Sequence, residues 1–484
     1  MSGRRAMDEE SLDPDDWAGF RAQAHRMLDD MCSYLETIRT RPVWQPMQAQ
    51  ARAPFRSPMP AEGRTLADVH QQFMTQILPH TVGNPHPAFF GWVHGGGTPV
   101  GMLAEMLAAG LNVNLGGRDQ IPLEVERQVV RWMADLFDFP EGASGVLVTG
   151  SSMANLLALL VARHARLGDA VRQHGLVAYA ASTAHGCIAQ ALEASGLGRA
   201  SLRIIPVNEH AQIQLPELQR AIRADRAAGL TPFFVVATAG TVDVGAVDDL
   251  AGVAAIAREE QLWFHVDGAY GALGMLAPPL RPLLQGIQQA DSVACDFHKW
   301  GQVPYDAGLL LVRDGAAQLA AFSAADRYLR RDLRGMAANS PWPCDLGLDL
   351  SRGFRALKVW MTLQVHGADK LGRTIYQTCQ LAQYLAERVR AQPQLELLAP
   401  VTLNIVCFRY RDHEPTVNAL NAALVVAVQE SGLAAPSLTS LDGQLAIRCA
   451  IVNHRTQARD IDALLAAVLS CGAQQLFERH AASR

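Results

Sequence analysis

The sequence predicts an α/β fold, in which a mainly parallel seven-stranded sheet forms a large domain and a small α+β domain follows it. Between about residues 84 and 315, seven short apolar runs typical of strands alternate with stretches of helical periodicity. The runs are almost continuously apolar, as expected of strands buried on both faces of a parallel sheet. Ligands of such sheets bind at the carboxyl ends of the strands, so the residues just after each run are candidates for a functional site.

These patterns predict seven strands and four intervening helices in the large domain. The strands are predicted at residues 145–148, 176–180, 201–206, 233–237, 262–266, 292–295 and 308–312. The helices, identified by apolar residues three and four positions apart, are predicted at residues 153–166, 187–195, 215–228 and 250–260.

The N-terminal region has helical periodicity but cannot form a core by itself. Residues 17–40 carry apolar side chains at helical spacing, and Pro42 ends that pattern. Residues 42–64 contain five prolines and predict an extended arm, after which Thr65 caps a new helix. We therefore expect residues 1–83 to pack on the partner subunit of a homodimer.

The C-terminal part of the chain mixes strands and helices. We assign residues 84–375 to the large domain and residues 376–484 to the small one. Helices are predicted at residues 354–366, 371–391, 417–430 and 460–469, and strands at residues 395–398, 403–408 and 445–450.

Composition argues against several classes of protein. The 484 residues are 49% hydrophobic and carry a net charge of −5 without a basic block, so nucleic acid and anionic membranes are not expected partners. No apolar run reaches the 18 residues of a membrane span, and no signal peptide is predicted. The eight cysteines include no Cys-x-x-Cys pair, which favours reduced thiols in a cytoplasmic protein. No metal site is predicted.

An aspartate and a lysine indicate the chemistry. Asp267 ends one apolar run, and Lys299 follows the next one 32 residues later. A lysine amine can form a Schiff base with an aldehyde cofactor, and an aspartate can keep a pyridine nitrogen protonated so that the ring accepts electrons. The pair therefore points to pyridoxal 5'-phosphate (PLP). The competing interpretation of the isolated pair is a buried aspartate at a strand end and a solvated lysine.

Three other strand ends carry polar residues. Ser151 and Ser152 follow a Gly-containing turn and open a helix, which could seat a phosphate or simply cap the helix. His185 could stack on a flat ring, although a lone histidine is more often structural. Thr241 could offer a hydroxyl to a cofactor, whereas Asp248 is expected to cap the helix that follows it.

The order and spacing of these segments resemble the group II PLP-dependent amino-acid decarboxylases, the family of the aromatic-L-amino-acid, histidine and glutamate decarboxylases. That family has the fold-type I scaffold of aspartate aminotransferase. The resemblance covers nearly the whole chain. Besides the strand ends, it includes the segments at residues 84–92, 123–126, 351–360 and 445–448 and the Val-Pro-Tyr-Asp at 303–306.

The resemblance implies a role for each candidate residue. Lys299 would carry the Schiff base, Asp267 would pair with the pyridine nitrogen, and His185 would stack on the ring. The remaining implied contacts are those of Ala269 with the ring and of Ser151, Ser152 and His298 with the phosphate.

The chain also departs from the family pattern at three places. The family's flexible loop usually presents a tyrosine, but counting back from Ser351 gives residues 341–344, Pro-Trp-Pro-Cys, and Tyr328 is expected to lie too far upstream. Where aromatic-substrate relatives have aromatic residues, this chain has Asn112, Asn114 and Arg118. Asp296 stands where the family often has asparagine near the phosphate.

The leading hypothesis is a PLP-dependent decarboxylase that converts an L-amino acid to its amine and CO₂. The missing tyrosine keeps an aldehyde synthase, or another PLP lyase or transferase, as an alternative. A catalytically silent scaffold is a third hypothesis, which the presence of both Lys299 and Asp267 disfavours. The sequence does not name the amino acid. Arg118 could bind a polar end of the substrate, or it could form a surface ion pair with Asp119 or Glu124.

Overall fold

The structure, a computed structural model, describes residues 10–168, 175–323, 332–412 and 416–482. Two sheets organise these residues, one of seven strands and one of five. The prediction of a seven-stranded sheet with a smaller α+β domain is thus confirmed. No helix in these ranges combines the length and the apolar character that crossing a membrane requires.

The strands in chain order are β1 (Phe89–Phe90), β2 (Ser144–Val148), β3 (Leu176–Ala181), β4 (Leu202–Ile205), β5 (Thr231–Thr238), β6 (Trp263–Asp267), β7 (Ser292–Asp296), β8 (Gly308–Val312), β9 (Leu395–Leu397), β10 (Ile405–Tyr410), β11 (Ala435–Leu441) and β12 (Gln444–Ala450). The α-helices are α1 (Trp17–Glu36), α2 (Ala49–Arg52), α3 (Leu66–Gln72), α4 (Pro99–Leu111), α5 (Ile121–Leu136), α6 (Ser151–Leu167), α7 (Cys187–Ala194), α8 (Leu215–Ala227), α9 (Leu250–Glu259), α10 (Gly315–Phe322), α11 (Arg355–His366), α12 (Ala368–Arg390), α13 (Val417–Glu430) and α14 (Ala458–Ala482).

The large sheet has the order β2-β8-β7-β6-β5-β3-β4. Neighbouring strands from β7 to β4 are parallel, whereas β8 is antiparallel to both β7 and β2. It follows that β2 points in the same direction as β7. The strands β2, β3, β5, β6 and β7 therefore all end at the same edge, and polar residues that follow them in the sequence can meet there.

Helices cover both faces of this sheet. In β6, Phe264 and Val266 contact the core that contains residues of α5, α8 and α9. Trp263, on the opposite face, packs in the core formed with α6 and α7. Successive side chains of a strand point to opposite faces, so one nearly continuous apolar run supplies both cores.

Two helix starts show what the sequence could and could not fix. Thr65 accepts a hydrogen bond from Asp68 N and caps α3, as predicted. The expected cap of α9 was wrong by one residue, because Asp249, not Asp248, accepts from Gly252 N. Asp248 is buried and accepts from Thr238 N and Ile213 N, both at 2.7 Å, so it joins the end of β5 to the segment before α8 instead.

The C-terminal sheet has the order β1-β11-β12-β10-β9. Its strands β1 and β11, which pair in parallel, were not predicted. Two residues of β1 are too short a run to show periodicity, and β11 alternates without a strong apolar face. The helix α12 runs continuously through residues 375 and 376, where the two domains were divided. The division into three units stays a prediction.

A buried ion pair joins three segments of the large domain. The guanidinium of Arg352 donates to both carboxylate oxygens of Glu126 and to the carbonyls of Leu115 and Leu147. Both side chains of the pair are at most 4% exposed. The backbone N–H of Leu147 also donates to Glu126, so α5, β2 and the segment before α11 are fixed to one another.

We predict that Arg352→Met lowers the free energy of unfolding by about 3–5 kcal/mol, because it leaves the Glu126 carboxylate buried without its partner. Urea unfolding of the purified proteins measures the change. Arg131→Met is the control. Arg131 lies on α5, as Glu126 does, but it pairs with Asp135 at the surface, so its loss should lower the free energy of unfolding by about 1 kcal/mol or less. Equal losses in the two variants would contradict the prediction.

Candidate active site

The structure brings the residues predicted from strand ends to one edge of the large sheet. They follow five strands: Ser151 and Ser152 after β2, His185 after β3, Thr241 after β5, Asp267 and Ala269 at the end of β6, and His298 and Lys299 after β7. The topology explains the convergence, because these five strands all end at this edge.

The Asp267 carboxylate lies at the base of the site and is 3% exposed. Its Oδ2 accepts from Asn155 Nδ2 at 3.1 Å, and its Oδ1 accepts from Ala269 N at 3.2 Å. Burial raises the pKa of Asp267, while Lys299, the Ala269 N–H and His185 act in the opposite direction. Asn155 lies one turn inside α6, and sequence reasoning did not identify it.

Lys299 is held by a second carboxylate. Its Nζ lies 2.8 Å from Asp296 Oδ2. Asp296 is buried and accepts from both the backbone N–H and the hydroxyl of Ser151, each at 2.7 Å. Asp296 therefore connects the lysine to the N-terminus of α6, where the helix dipole favours a negative charge.

His298 lies beside the same carboxylate. Its Nδ1 accepts from Ala307 N at 3.1 Å, so the ring hydrogen is on Nε2, which lies 3.6 Å from Asp296 Oδ2. Burial lowers the pKa of His298, an effect that Asp296 opposes. The ring of Tyr305 covers the imidazole with centroids 4.4 Å apart. His298 is thus a neutral N–H donor at the edge of the site.

The other predicted residues differ in exposure. His185 is exposed, and its Nδ1 accepts from Cys187 N at 3.2 Å. Ser152 is exposed at the start of α6. Thr241 is fully buried, and its hydroxyl accepts from Ala246 N at 3.0 Å to close the turn after β5. Its contact with a cofactor, like that of Ala269, stays a prediction.

Aromatic side chains form one wall of the site, which the sequence alone did not indicate. Gly95 N donates to His298 O at 3.0 Å, and a Cβ on Gly95 would lie 2.3 Å from Lys299 O, so only glycine allows this approach. The approach carries Trp92 and His94 to Tyr305, whose ring meets that of His94 edge-on at 5.6 Å.

The aromatic wall is partly open to solvent. Trp92 and Tyr305 are 54% and 48% exposed. Burial, together with the charge of Lys299, lowers the pKa of His94 to about 4, so its ring is neutral. A neutral aromatic surface next to the lysine can receive the flat side chain of a ligand.

In the segment after α4, the polar side chains contact other parts of the protein. Asn112 ends α4 in the left-handed conformation, and Asn114 Oδ1 accepts from Gly116 N and Arg352 N. The guanidinium of Arg118 stacks on the ring of Trp342 at 5.2 Å. Among the described residues it forms no ion pair with Asp119 or Glu124, which was the alternative to a substrate contact.

A buried tryptophan lies in the segment where the loop tyrosine is expected. Trp342 is fully buried, and its Nε1 donates to Ala338 O at 2.9 Å. Tyr328 lies outside the described residues. The expectation that this tyrosine is too far upstream therefore stays a prediction.

The donor set fits PLP. An amine and a buried carboxylate face the same edge, as an aldehyde and a ring nitrogen require. The N-terminus of α6, with Ser152 and the His298 N–H, suits a phosphate. The N–H of Ser151, however, already donates to Asp296 Oδ1, and that of Met153 to a backbone carbonyl. Asp296 does not suit a phosphate, because it is a carboxylate and already accepts the hydrogen bonds of Ser151.

A family model and curated relatives match this chain over most of its length. A family model described as the pyridoxal-dependent decarboxylase conserved domain matches residues 47–411. The aromatic-L-amino-acid decarboxylase of Bacillus atrophaeus is 31% identical over 91% of this chain and 93% of its own. The phenylacetaldehyde synthase of Arabidopsis thaliana is 32% identical over 93% of this chain and 95% of its own.

Solved structures share the fold over nearly the whole chain. The crystal structure of Oryza sativa TDC with PLP and tryptamine superposes with a TM-score of 0.88 at 24% identity, covering 96% of this chain and 99% of that one. The structure of Rhodiola rosea 4-hydroxyphenylacetaldehyde synthase gives a TM-score of 0.86 at 26% identity, with coverage of 96% and 99%. The predicted fold-type I scaffold is thereby confirmed.

We predict that Asp296→Asn binds PLP about tenfold more tightly than the wild type. The substitution removes a negative charge next to the phosphate donors and frees Lys299 from its ion pair before the cofactor arrives. Titration of the cofactor-free protein with PLP, followed by fluorescence, measures the affinity. Asp314→Asn is the control, because Asp314 caps α10 away from the site. Weaker binding in Asp296→Asn would contradict the prediction.

Proposed function

The chain belongs to the pyridoxal-dependent decarboxylase family, and from that premise we propose how its own residues act. The protein is a PLP-dependent carboxy-lyase that removes CO₂ from an amino acid to give the amine. The observation that carries the assignment of residues is the meeting of Asp267 and Lys299 at one sheet edge, each with its own partner.

We assign the cofactor contacts as follows. Lys299 forms the covalent link to PLP, and Asp267 hydrogen-bonds the ring nitrogen. His185 stacks on the ring from its exposed position, and Ala269 packs on the ring. Ser151, Ser152 and His298 bind the phosphate. PLP, when bound, supplies a ring that accepts the electrons left behind by the departing CO₂.

The surroundings of Lys299 hold its amine in an ion pair. The amine must be neutral to act as a nucleophile, whereas Asp296 Oδ2, at 2.8 Å from Nζ, favours the charged ammonium, so Lys299 must leave this pair to react. The N-terminus of α6 and the Ser151 hydroxyl stabilise the Asp296 carboxylate. Asp267 must likewise stay ionised, because it holds a proton on the ring nitrogen.

We propose that the substrate is an aromatic L-amino acid. The exposed rings of Trp92 and Tyr305 next to His94 supply a surface for a flat side chain. The relatives named aromatic-L-amino-acid decarboxylase and tyrosine decarboxylase 2 support this, each 31% identical over at least 91% of this chain. An acidic substrate held by Arg118 is the alternative, for which the stacking of Arg118 on Trp342 leaves less freedom.

An aldehyde product is the second candidate. It is favoured by the 32% identity to phenylacetaldehyde synthase. The two outcomes differ in stoichiometry, because an aldehyde synthase consumes oxygen and releases ammonia and peroxide besides CO₂. Measuring amine, aldehyde and peroxide together with CO₂ therefore distinguishes them.

We predict that the wild type releases CO₂ and amine from aromatic L-amino acids at least tenfold faster than from acidic ones. Lys299→Ala should show no turnover and no visible absorbance from bound PLP, because no other amine at the site can form the link. Lys370→Ala, with the lysine outside the site, is the matched control. Turnover by Lys299→Ala, or a preference for acidic substrates, would contradict the respective part of the proposal.

We further propose that the enzyme is a homodimer. The helix α4 exposes Met106, Leu107 and Leu111 by 48–59% each, beside the turn that leads to Asn112. In the N-terminal region, Trp17 and Phe55 are also more than half exposed. Apolar patches of this kind mark protein–protein contacts. We keep the prediction of a cytoplasmic location, with which buried thiols are compatible.

We predict that deletion of residues 1–60 gives aggregates or inactive monomers, because it uncovers apolar surface that the arm and the partner share. Light scattering with a decarboxylation assay measures both properties. A deletion of residues 1–9 alone is the control and should stay dimeric and active. A soluble, active, monomeric protein lacking residues 1–60 would refute the proposed packing of the arm.

A further inference from the structure

A row of polar side chains lies beneath α6 in an otherwise apolar core. Trp263, His265 and Asp267 alternate along β6, so all three point to the face that α6 covers. On the neighbouring strand β7, Ser292 is in register with His265. Asn155 of α6 completes the row. None of the five residues is more than 4% exposed.

Hydrogen bonds connect the five side chains end to end. Trp263 Nε1 donates to Ser292 Oγ at 2.8 Å, and Ser292 Oγ lies 2.8 Å from His265 Nδ1. His265 Nε2 lies 2.8 Å from Asn155 Oδ1, and Asn155 Nδ2 donates to Asp267 Oδ2 at 3.1 Å. The second hydrogen of Asn155 Nδ2 points to Cys187 Sγ at 3.2 Å.

The Asp267 end of this chain fixes its direction. An ionised carboxylate can only accept, so Asn155 presents its N–H to Asp267 and its Oδ1 to His265 Nε2. The hydrogens therefore run from Trp263 towards Asp267. The Ser292 hydroxyl accepts from Trp263 and gives its own hydrogen to His265 Nδ1. The hydrogen of His265 is then on Nε2 and goes to Asn155 Oδ1, which leaves the amide N–H for Asp267.

The reverse direction fails at the Asp267 end. With a hydrogen on His265 Nδ1, Ser292 Oγ would accept from both Trp263 and His265, and His265 Nε2 would need a donor. Asn155, which would have to supply that donor, would turn its amide and present Oδ1 to the Asp267 carboxylate, where two acceptors would repel each other. Burial lowers the pKa of His265 to about 3, so its ring stays neutral and keeps a single hydrogen.

We propose that Trp263, Ser292, His265 and Asn155 are positioning residues that hold Asp267 as an ionised acceptor for the ring nitrogen of PLP. This rests on the role proposed for Asp267 above. Each residue acts through the next, and the indole N–H of Trp263, which occupies one lone pair of Ser292 Oγ, favours donation by Ser292 to His265 Nδ1. An isolated histidine in place of this row could adopt either tautomer, and one of the two would favour a protonated Asp267.

The test removes one hydrogen at the far end of the row. Trp263→Phe keeps an aromatic ring but no N–H, so donation by the Ser292 hydroxyl to His265 is no longer favoured. We expect His265 to shift partly or wholly to the Nδ1–H tautomer. Nitrogen-15 NMR of the cofactor-free protein labelled at histidine reads the tautomer directly, and His265→Gln identifies the resonances of His265.

The same variant should lose about tenfold in kcat with PLP bound, with KM within about twofold of the wild type, because a hydrogen bond to a charged group is weakened. Ser292→Ala should reproduce both effects, and Ser292→Thr, which restores the hydroxyl, should reverse them. Trp360→Phe is the control: its Nε1 donates to Gln128 outside the site, so His265 and kcat should stay unchanged.

Each outcome decides the proposal. The proposal is overturned if the tautomer of His265 is unchanged in both Trp263→Phe and Ser292→Ala, even if kcat falls. It is also overturned if the tautomer changes but kcat stays that of the wild type. Asp267→Asn separates this inference from the proposed function. Full activity of Asp267→Asn would refute the proposed role of Asp267 itself. An inactive Asp267→Asn, together with a Trp263→Phe variant that has the kcat of the wild type, would refute only the positioning role.

Discussion

The site depends on keeping a carboxylate charged inside the protein. Removing an ionised group from water costs several kcal/mol, and burial raises the pKa of Asp267 accordingly. The amide of Asn155, the N–H of Ala269 and the nearby Lys299 act against that cost. The position of α6 over β6 therefore has a chemical purpose as well as a packing one, because it brings Asn155 to the carboxylate.

A second carboxylate balances the lysine. Asp296 receives hydrogen bonds from the N-terminus of α6 and an ion pair from Lys299, so the amine, the helix and the acid form one charge-compensated group. Both carboxylates therefore accept hydrogen bonds from α6. Asp267 accepts from Asn155, one turn into the helix, and Asp296 accepts from Ser151, its first residue. A shift of this helix relative to the sheet would disturb both.

Two buried arginines hold the surrounding segments by their backbones. Arg352 donates to the carbonyls of Leu115 and Leu147, and Arg448 of β12 donates to the carbonyls of Gly91 and Val242. The first fixes the segment after α4. The second fixes the C-terminal sheet to the turn after β5 and to the segment that carries Trp92. Together with the approach of Gly95 to His298, this second arginine positions the aromatic wall of the site.

How much the sequence determined can be seen from individual elements. Six of the seven predicted strands of the large sheet match to within one residue at each end, and the remaining one, β5, begins two residues earlier and ends one later. Continuous apolar runs between helical patterns are a local signal, so they are legible without the fold. The same holds for Lys299 and Asp267, because each stands at the end of such a run and chemistry restricts what that pair can do.

Contacts between distant segments were decided by the tertiary structure. Phe89 and Phe90 pair with β11, more than 340 residues later in the chain, and no local pattern encodes that partner. Asp296 pairs with Ser151, and His265 with Asn155, across 145 and 110 residues. The sequence determined which residues have the chemistry. Their hydrogen-bond partners, and with them the direction of every donor around Asp267, exist only once packing has placed α6 over the ends of β6 and β7.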